Sequence, residues 1–322
     1  MKPVGKSVAL AALASAMTLI STAGCASSSE HSVPGNDLVT DDDPVIVTSF
    51  YPIQWLASEL VADKAEVISL TPEGTEPHDL ALNASAQKVL AHADVVLYLG
   101  ADFQPDVERA IGELEPAITS VDLLTAPGVR LLGVDHTDKE AHGSSTDPHV
   151  WLSPIEMIAM ADASAEAITS GAPELADQVA TNLPDVRAKL QMLDADYRNG
   201  LTNCASRVLV TSHAAFGYLA DEYGLQQVPI SGLNPEHEPD PKTLQATADL
   251  ARAKDVQTVF FEETLPADLA RTVAEEIGAR TSLLAALEFD PRGSLGPDED
   301  YVSVMSGNLD RIEDGLGCAA AE

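Results

Sequence analysis

The amino-acid sequence predicts an α/β protein with two lobes, each built on a parallel sheet, and a long, stiff helical region between them. Short β-rich runs alternate with amphipathic helical stretches, which is the pattern of βαβ units. This alternation occurs twice, once on each side of the middle of the chain. Between the two series, residues 153–204 carry no strand signal and place Ala, Leu, Met, Glu and Asp at helical spacing.

The two lobes are predicted to span residues 44–152 and 205–322. In each lobe the predicted strands are short runs bounded by turn residues, and helical segments separate them. The first lobe has predicted strands at 45–50, 66–70 and 95–99 and helices at 53–61, 84–91 and 106–111. The second lobe has predicted strands at 207–211, 226–229, 258–261 and 281–284 and helices at 215–223, 241–254 and 267–277.

The helical region 153–204 has a well-marked start. Residues 153–156 read Ser-Pro-Ile-Glu, which offers an N-cap hydroxyl, a proline at the first helical position and a glutamate that completes a capping box. Breaks are predicted at 171–173 and at Pro184. The piece from 174 to 201 would extend about 40 Å at roughly 1.5 Å per residue, long enough to cross from one lobe to the other.

The N-terminus predicts export. Two lysines precede an apolar run at residues 8–20, and this run is too short to span a membrane, so residues 1–24 are predicted to be a signal peptide. The small residues before Cys25 resemble a bacterial lipobox, which implies a lipid anchor at Cys25 on the outer face of the cell membrane. Cleavage and release without a lipid is the alternative. Residues 25–43 are polar, without apolar periodicity, and are predicted to form a disordered tether.

Two further cysteines remain after Cys25. Cys204 and Cys318 form an even pair in a chain predicted to be exported, so we expect a disulfide between the start of the second lobe and the end of the chain. Two unrelated buried thiols are the alternative.

The charge balance bears on the partners. The chain has 18 Lys+Arg against 51 Asp+Glu, a formal net charge of −33, and no basic run follows the signal. Nucleic acid is therefore excluded as a partner. The acidity also serves solubility, so it is weak support for cation binding.

Four side chains follow predicted strands or lead into the linker helix, where an open α/β sheet presents its ligand site. His78 lies in the loop after the second strand, and His149 precedes the linker helix. His213 follows the strand 207–211, and Asp290 lies beyond the last predicted strand. Three imidazoles and one carboxylate facing the cleft between the lobes would form a closed tetrahedral Zn²⁺ site. Surface histidines and a turn-forming aspartate before proline are the simpler interpretations.

Several segments together resemble one family. They are residues 77–79, 93–100, 147–154, 211–219 and 232–236. The chain resembles the metal-specific substrate-binding proteins of ABC importers, the cluster A-I or ZnuA-like family, over residues 44–318. The resemblance implies that His78, His149, His213 and Asp290 bind the metal. It also implies two (β/α)4-like lobes joined by one long rigid linker helix, with the metal site in the cleft between them. An ABC importer permease is the implied partner, and we expect a monomer.

The histidine at position 213 bears on the metal. Manganese-binding relatives place Glu there, whereas zinc-binding relatives place His, and a His₃Asp set favours Zn²⁺ over the oxygen-preferring Mn²⁺. Mn²⁺ or another divalent metal is the alternative. Many zinc-binding relatives carry a long His-rich loop before the second ligand. This chain has only His136 and His142 in that region, which form either a weak capture site or solvated loop positions.

Other functions remain as alternatives. A zinc-dependent hydrolase is one, but the sequence has no His-Glu-x-x-His, Gly-x-Ser-x-Gly or Gly-x-Gly-x-x-Gly motif, so we expect no enzymatic activity. A metal-stabilised adhesin is the other. Glu262 and Glu263 follow a second-lobe strand, where they either orient histidine ligands or are solvated.

Overall fold

The computed structural model describes residues 43–133, 146–235, 239–262 and 267–319. The predicted signal peptide, Cys25 and the tether up to residue 42 lie outside these ranges, as do His136, His142 and Glu263. None of the helices within the described ranges is both long enough and apolar enough to cross a bilayer.

Two four-stranded parallel sheets form the centres of the lobes. The first contains β1 (Val45–Thr48), β2 (Glu66–Ser69), β3 (Val95–Tyr98) and β4 (Thr119–Asp122), and the second contains β5 (Val208–Thr211), β6 (Gln226–Pro229), β7 (Thr258–Phe261) and β8 (Arg280–Leu283). The strand orders are β2-β1-β3-β4 and β6-β5-β7-β8. In each sheet the strand order reverses next to the first strand, between β1 and β3 and between β5 and β7. Open α/β sheets bind ligands in the crevice at the carboxyl ends of the strands at such a point.

Helices cover and connect these sheets. The first lobe has α1 (Tyr51–Val61), α2 (Ala84–Ala91) and α3 (Pro105–Ile111), and the connection has α4 (Pro154–Gly171) and α5 (Ala176–Gly200). The second lobe has α6 (Gly217–Glu222), α7 (Pro241–Ala253), α8 (Asp268–Ile277), α9 (Pro291–Ser294) and α10 (Tyr301–Leu316). Short 3₁₀ turns occupy Leu123–Thr125, Val150–Leu152, Pro173–Leu175 and Ala214–Phe216.

The predicted two-lobed α/β architecture with parallel sheets is confirmed, with two elements that the sequence pattern did not reveal. The edge strand β4 has the sequence TSVD, so only one of its four residues is apolar and it carries no strand signal of its own. The last helix, α10, begins with a capping box between Asp300 and Ser303. It ends at Gly317, whose φ of 65° is a left-handed conformation that favours glycine.

Helix α5 is the predicted linker, and it is continuous through Pro184. A proline inside a helix costs roughly 3 kcal/mol, so packing along the helix must offset it. At one end Asn182 Nδ2 donates to Leu60 O at 3.1 Å, and towards the other Tyr197 Oη donates to Met305 O at 2.8 Å. The 25-residue helix therefore binds α1 of the first lobe and α10 of the second.

One hydrophobic core extends through both lobes. In β1, Ile46 points into this central core, whereas Val45 and Val47 face an outer cluster under α2 and α3. The second sheet repeats the arrangement, with Leu209 in the central core and Val210 in its own outer cluster. Both faces of both sheets are therefore covered, and the inner faces share one core.

Trp151, at the centre of this core, connects the two lobes through hydrogen bonds. It is fully buried, its Nε1 donates to Ala286 O at 2.8 Å, and its own carbonyl accepts from Tyr301 Oη at 2.6 Å. The segment that leads into α4 is thus hydrogen-bonded to two parts of the second lobe.

The predicted disulfide between Cys204 and Cys318 is confirmed. It joins the end of α10 to the segment before β5, where the two cysteines also form an antiparallel bridge. The bond closes a loop of 114 residues, for which the chain-entropy relation gives a stabilisation on the order of 4–5 kcal/mol.

Candidate metal centre

Three histidines from distant parts of the chain meet one glutamate between the lobes. The Nε2 atoms of His78, His149 and His213 lie 3.3, 3.5 and 3.4 Å from a single oxygen, Oε1 of Glu288. The ligand-capable atoms of all four residues lie within 4.8 Å of one another. His78 comes from the loop after β2, His149 precedes the turn into α4, and His213 follows β5.

These distances suit a shared cation. Bonds of about 2.0–2.1 Å in a tetrahedral array separate two donor atoms by about 3.3–3.4 Å. Straight N–H···O hydrogen bonds are shorter, near 2.9 Å. The Nε2 atoms of His149 and His213 are buried and have no hydrogen-bond partner among the described residues. Buried polar atoms in native proteins almost always have a partner, so these two nitrogens are suited to bind an ion.

Asp290 is not part of this cluster, so the predicted His₃Asp set is corrected to His₃Glu. Both carboxylate oxygens of Asp290 accept from Arg292, with Nε at 2.9 Å from Oδ1 and 3.1 Å from Oδ2. Asp290 also caps α9, because Oδ1 accepts from the backbone nitrogen of Arg292 at 3.0 Å. The carboxylate that joins the histidines belongs to Glu288, two positions earlier.

Two further carboxylates lie behind the histidines. Asp147 Oδ1 lies 2.8 Å from His149 Nδ1, and Glu262 Oε2 lies 2.6 Å from His213 Nδ1. The second contact is a close ion pair rather than a straight hydrogen bond. A carboxylate at Nδ1 holds the proton there and leaves Nε2 as the ligand atom. The structure thus favours the orienting role for Glu262, and Asp147 is a residue that the sequence analysis missed.

Asp147 has room for its carboxylate because residue 217 is glycine. A Cβ at Gly217 would lie 2.5 Å from Asp147 Oδ2. The Asp147 carbonyl also accepts from Tyr218 Oη at 2.9 Å. The start of α6 therefore fixes the carboxylate that orients His149.

Aromatic rings line the site. The rings of His78 and Phe103 have centroids 4.7 Å apart in an edge arrangement, and His149 lies 5.1 Å from Trp151. The side chains of His149 and His213 are 0% exposed, against 8% for His78. This apolar wall excludes water and strengthens the electrostatic interactions inside. The open edge of the site is at His78.

Burial and charge act in opposite directions on the protonation of these groups. Burial lowers the pKa of His78. For His213 burial acts in the same direction, but Glu262 and Glu288 outweigh it and raise the pKa well above its usual value. The pKa of His149 is likewise raised against burial by Asp147 and Glu288. Burial would raise the pKa of Glu288, but the histidines, His213 first, hold it well below its usual value. In the metal-free protein, protons on His149 and His213 therefore offset the charge of the carboxylates beside them.

Comparison with known proteins bears on this arrangement. Residues 46–315 match the sequence profile of the family described as zinc-uptake complex component A, periplasmic. The zinc-binding lipoprotein AdcA of Streptococcus pneumoniae is 33% identical over 274 residues, covering 83% of this chain and 55% of the relative. This chain therefore spans about half the length of that relative.

One full-length relative and one solved domain match this chain over most of their own length. The high-affinity zinc uptake system protein ZnuA of Bacillus subtilis is 32% identical over 281 residues, covering 84% of this chain and 87% of the relative. Among solved structures, the Zn(II)-bound ZnuA-like domain of Streptococcus pneumoniae AdcA has 31% identity and a TM-score of 0.72. That match covers 85% of this chain and 99% of the domain.

Proposed function

This chain belongs to the family of zinc-uptake complex component A proteins, and from that premise we propose that it captures one Zn²⁺ ion through His78, His149, His213 and Glu288. The observation that carries the proposal is the convergence of three imidazole Nε2 atoms on one buried carboxylate oxygen at 3.3–3.5 Å. The carboxylates behind two of these rings support it further, because they leave the Nε2 atoms free to bind.

The donor set favours binding and release over catalysis. Four protein donors complete the tetrahedral coordination of Zn²⁺, so no position is reserved for a reactive water. The family itself is a component of an uptake complex rather than an enzyme. Three nitrogens and one carboxylate favour Zn²⁺ over Mn²⁺, which prefers oxygen donors.

The proposal extends to transport. The signal peptide at residues 1–24 would export the chain, Cys25 would carry the lipid anchor, and residues 25–43 would act as the tether. The protein would then act as a monomer at the outer face of the membrane and deliver Zn²⁺ to the permease of an ABC importer. The family description, a periplasmic part of a zinc-uptake complex, supports this role.

Competition titration of the metal-free protein with Zn²⁺ and Mn²⁺ tests the central claim. We expect one Zn²⁺ per chain. We expect His213→Ala to weaken zinc binding by more than roughly 100-fold, because losing a ligand costs more affinity than losing a residue that only orients a ligand. His92→Ala is the matched control, because His92 is exposed at the end of α2. Preference for Mn²⁺, or equal affinity in the two variants, would refute the proposed site.

Chelation separates transport from a purely structural metal. We expect circular dichroism to show a folded protein after the metal is removed, because the shared core and the disulfide do not involve the metal ligands. Unfolding on chelation would favour the metal-stabilised adhesin instead.

A further inference from the structure

The ring of His78 is held differently from the rings of the other two proposed histidine ligands. Carboxylates contact Nδ1 of His149 and of His213, at 2.8 and 2.6 Å. The His78 ring instead contacts Glu288 through Nε2 and packs against the rings of Phe103 and His149. Among the residues that the structure describes, Phe103 therefore supports the outer side of this ring by packing.

Phe103 lies in a turn with an unusual backbone conformation. Ala101 and Asp102, which precede it, have φ of 62° and 59°, so two consecutive residues with side chains are left-handed. Such conformations cost free energy and persist only where the surrounding contacts hold them. The chain therefore keeps an unfavourable backbone conformation at the turn that presents Phe103 to His78.

Gln104 connects this turn to the loop after β2, which carries His78. Its side chain is fully buried, and its Nε2 donates to Thr71 Oγ1 at 2.9 Å. The Thr71 hydroxyl donates its own proton to Ser49 O at 2.7 Å, so its oxygen is left to accept from the Gln104 amide. Phe103 and Gln104 thus contact the loop near its two ends, at His78 and at Thr71.

The stability of the fold alone does not explain a glutamine at position 104. Gln104 precedes α3 as its N-cap residue, but its side chain makes no capping hydrogen bond to that helix. Its Oε1 is buried and has no hydrogen-bond partner among the described residues, which is unfavourable for a polar atom. The donor that the amide offers to Thr71 is therefore the contact that accounts for this residue.

From these contacts we infer that Gln104 is a positioning residue, which joins the turn of Phe103 to the loop after β2 and so keeps the His78 ring ready to bind zinc. This inference rests on the proposed function, since it concerns one of the four proposed ligands. A ligand that is already in place loses less conformational freedom on binding, so loosening this contact lowers affinity. Because the effect reaches the metal through His78, it disappears when His78 is removed.

Variants at both ends of the hydrogen bond test this role. Gln104→Met keeps the length of the side chain and removes the donor, whereas Thr71→Val keeps the shape and removes the hydroxyl. We expect each to weaken zinc binding by roughly three- to tenfold, the range set by the net contribution of one hydrogen bond. Thr71→Ser keeps the hydroxyl and should bind zinc like the wild-type protein. Competition with a chelator measures the affinities.

The His78→Ala background shows whether the effect passes through His78. In that background Gln104→Met should cause no further loss, whereas a residue that only supports the fold would weaken binding equally in both backgrounds. Ser164→Ala is the matched control and should leave affinity unchanged, because it removes another buried side-chain oxygen that has no partner within the described ranges, in the middle of α4.

Two results would overturn the inference: unchanged zinc affinity in Gln104→Met, or an equal loss with and without His78. Failure of the wild-type protein to bind Zn²⁺ would instead refute the proposed function.

Discussion

Replacing Glu262 by glutamine tests the role of the carboxylate behind His213. Glu262 Oε2 lies 2.6 Å from His213 Nδ1, and both side chains are almost fully buried. The Glu262 carboxylate also attracts a cation bound at Nε2, on the opposite side of the His213 ring. At roughly 6 Å and an effective dielectric constant of about 20, a carboxylate and a unit positive charge attract by about 2–3 kcal/mol. Glutamine keeps the shape of the side chain and removes this charge.

The size of the effect depends on pH. Above the raised pKa of His213 the ring is neutral, so only the metal loses its interaction with the carboxylate. At such pH values we expect zinc affinity to fall about 10- to 100-fold, which is the usual effect of removing a residue that hydrogen-bonds to a metal ligand. This corresponds to a loss of about 1.4–2.7 kcal/mol in binding free energy. Below that pKa, a proton on His213 competes with zinc, and the same carboxylate stabilises that proton. The loss of affinity should therefore shrink as pH falls.

Titration of the metal-free variant against a competing chelator at several pH values measures this. Glu156→Gln is the matched control, because Glu156 is a buried glutamate in α4 that accepts from the Arg130 backbone nitrogen at 2.9 Å. A loss that is constant with pH would indicate a purely structural role for Glu262. An unchanged affinity at high pH would refute the reasoning.

Three further outcomes follow from the geometry. Zinc affinity of the wild-type protein should fall as pH drops through the raised pKa of the two buried histidines, with protons released on binding in calorimetry; a flat profile would contradict histidine ligation. Gly217→Ala should weaken zinc binding by roughly tenfold, because the new Cβ would displace the Asp147 carboxylate. Gly112→Ala is the control and should leave zinc binding unchanged, because its Cβ would meet no atom closer than 3.4 Å. Replacing Cys204 and Cys318 by serine should lower the free energy of unfolding in urea by up to about 4–5 kcal/mol and leave zinc affinity unchanged. A loss of zinc affinity together with the loss of stability would contradict the view that the disulfide and the metal site act independently.

The positions of the three histidines were predictable because two follow strand ends and His149 leads into the well-capped start of α4. Short β-rich runs bounded by turn residues locate β2 and β5, and His78 and His213 follow them at the edge where ligand sites form. The choice between Glu288 and Asp290 was not predictable from pattern. These carboxylates are two positions apart, and in the structure only Glu288 lies with the histidines, whereas Asp290 caps α9 and pairs with Arg292.

The same reasoning explains the other differences. Asp147 was not recognised because its role depends on the space left by Gly217 in a helix seventy positions away. Pro184 did not end the linker helix because contacts with both lobes offset its local cost. In each case long-range packing overrode a local signal, whereas the lobe architecture follows from local periodicity. The predicted signal peptide, lipid anchor and tether lie outside the described residues, apart from Asp43, and stay predictions.

The core shared by the two lobes restricts how a bound ion can leave. Swinging the lobes apart like a clamshell would expose Trp151 and the residues around it, and each large apolar side chain brought into water costs about 1.5–3 kcal/mol. Helix α5 would also resist this motion, because it is hydrogen-bonded to both lobes. Displacing the loop that carries His78 requires neither. The proposed exit of a bound ion therefore passes through this loop, and the proposed permease would need to move only a short stretch of chain instead of opening the whole molecule.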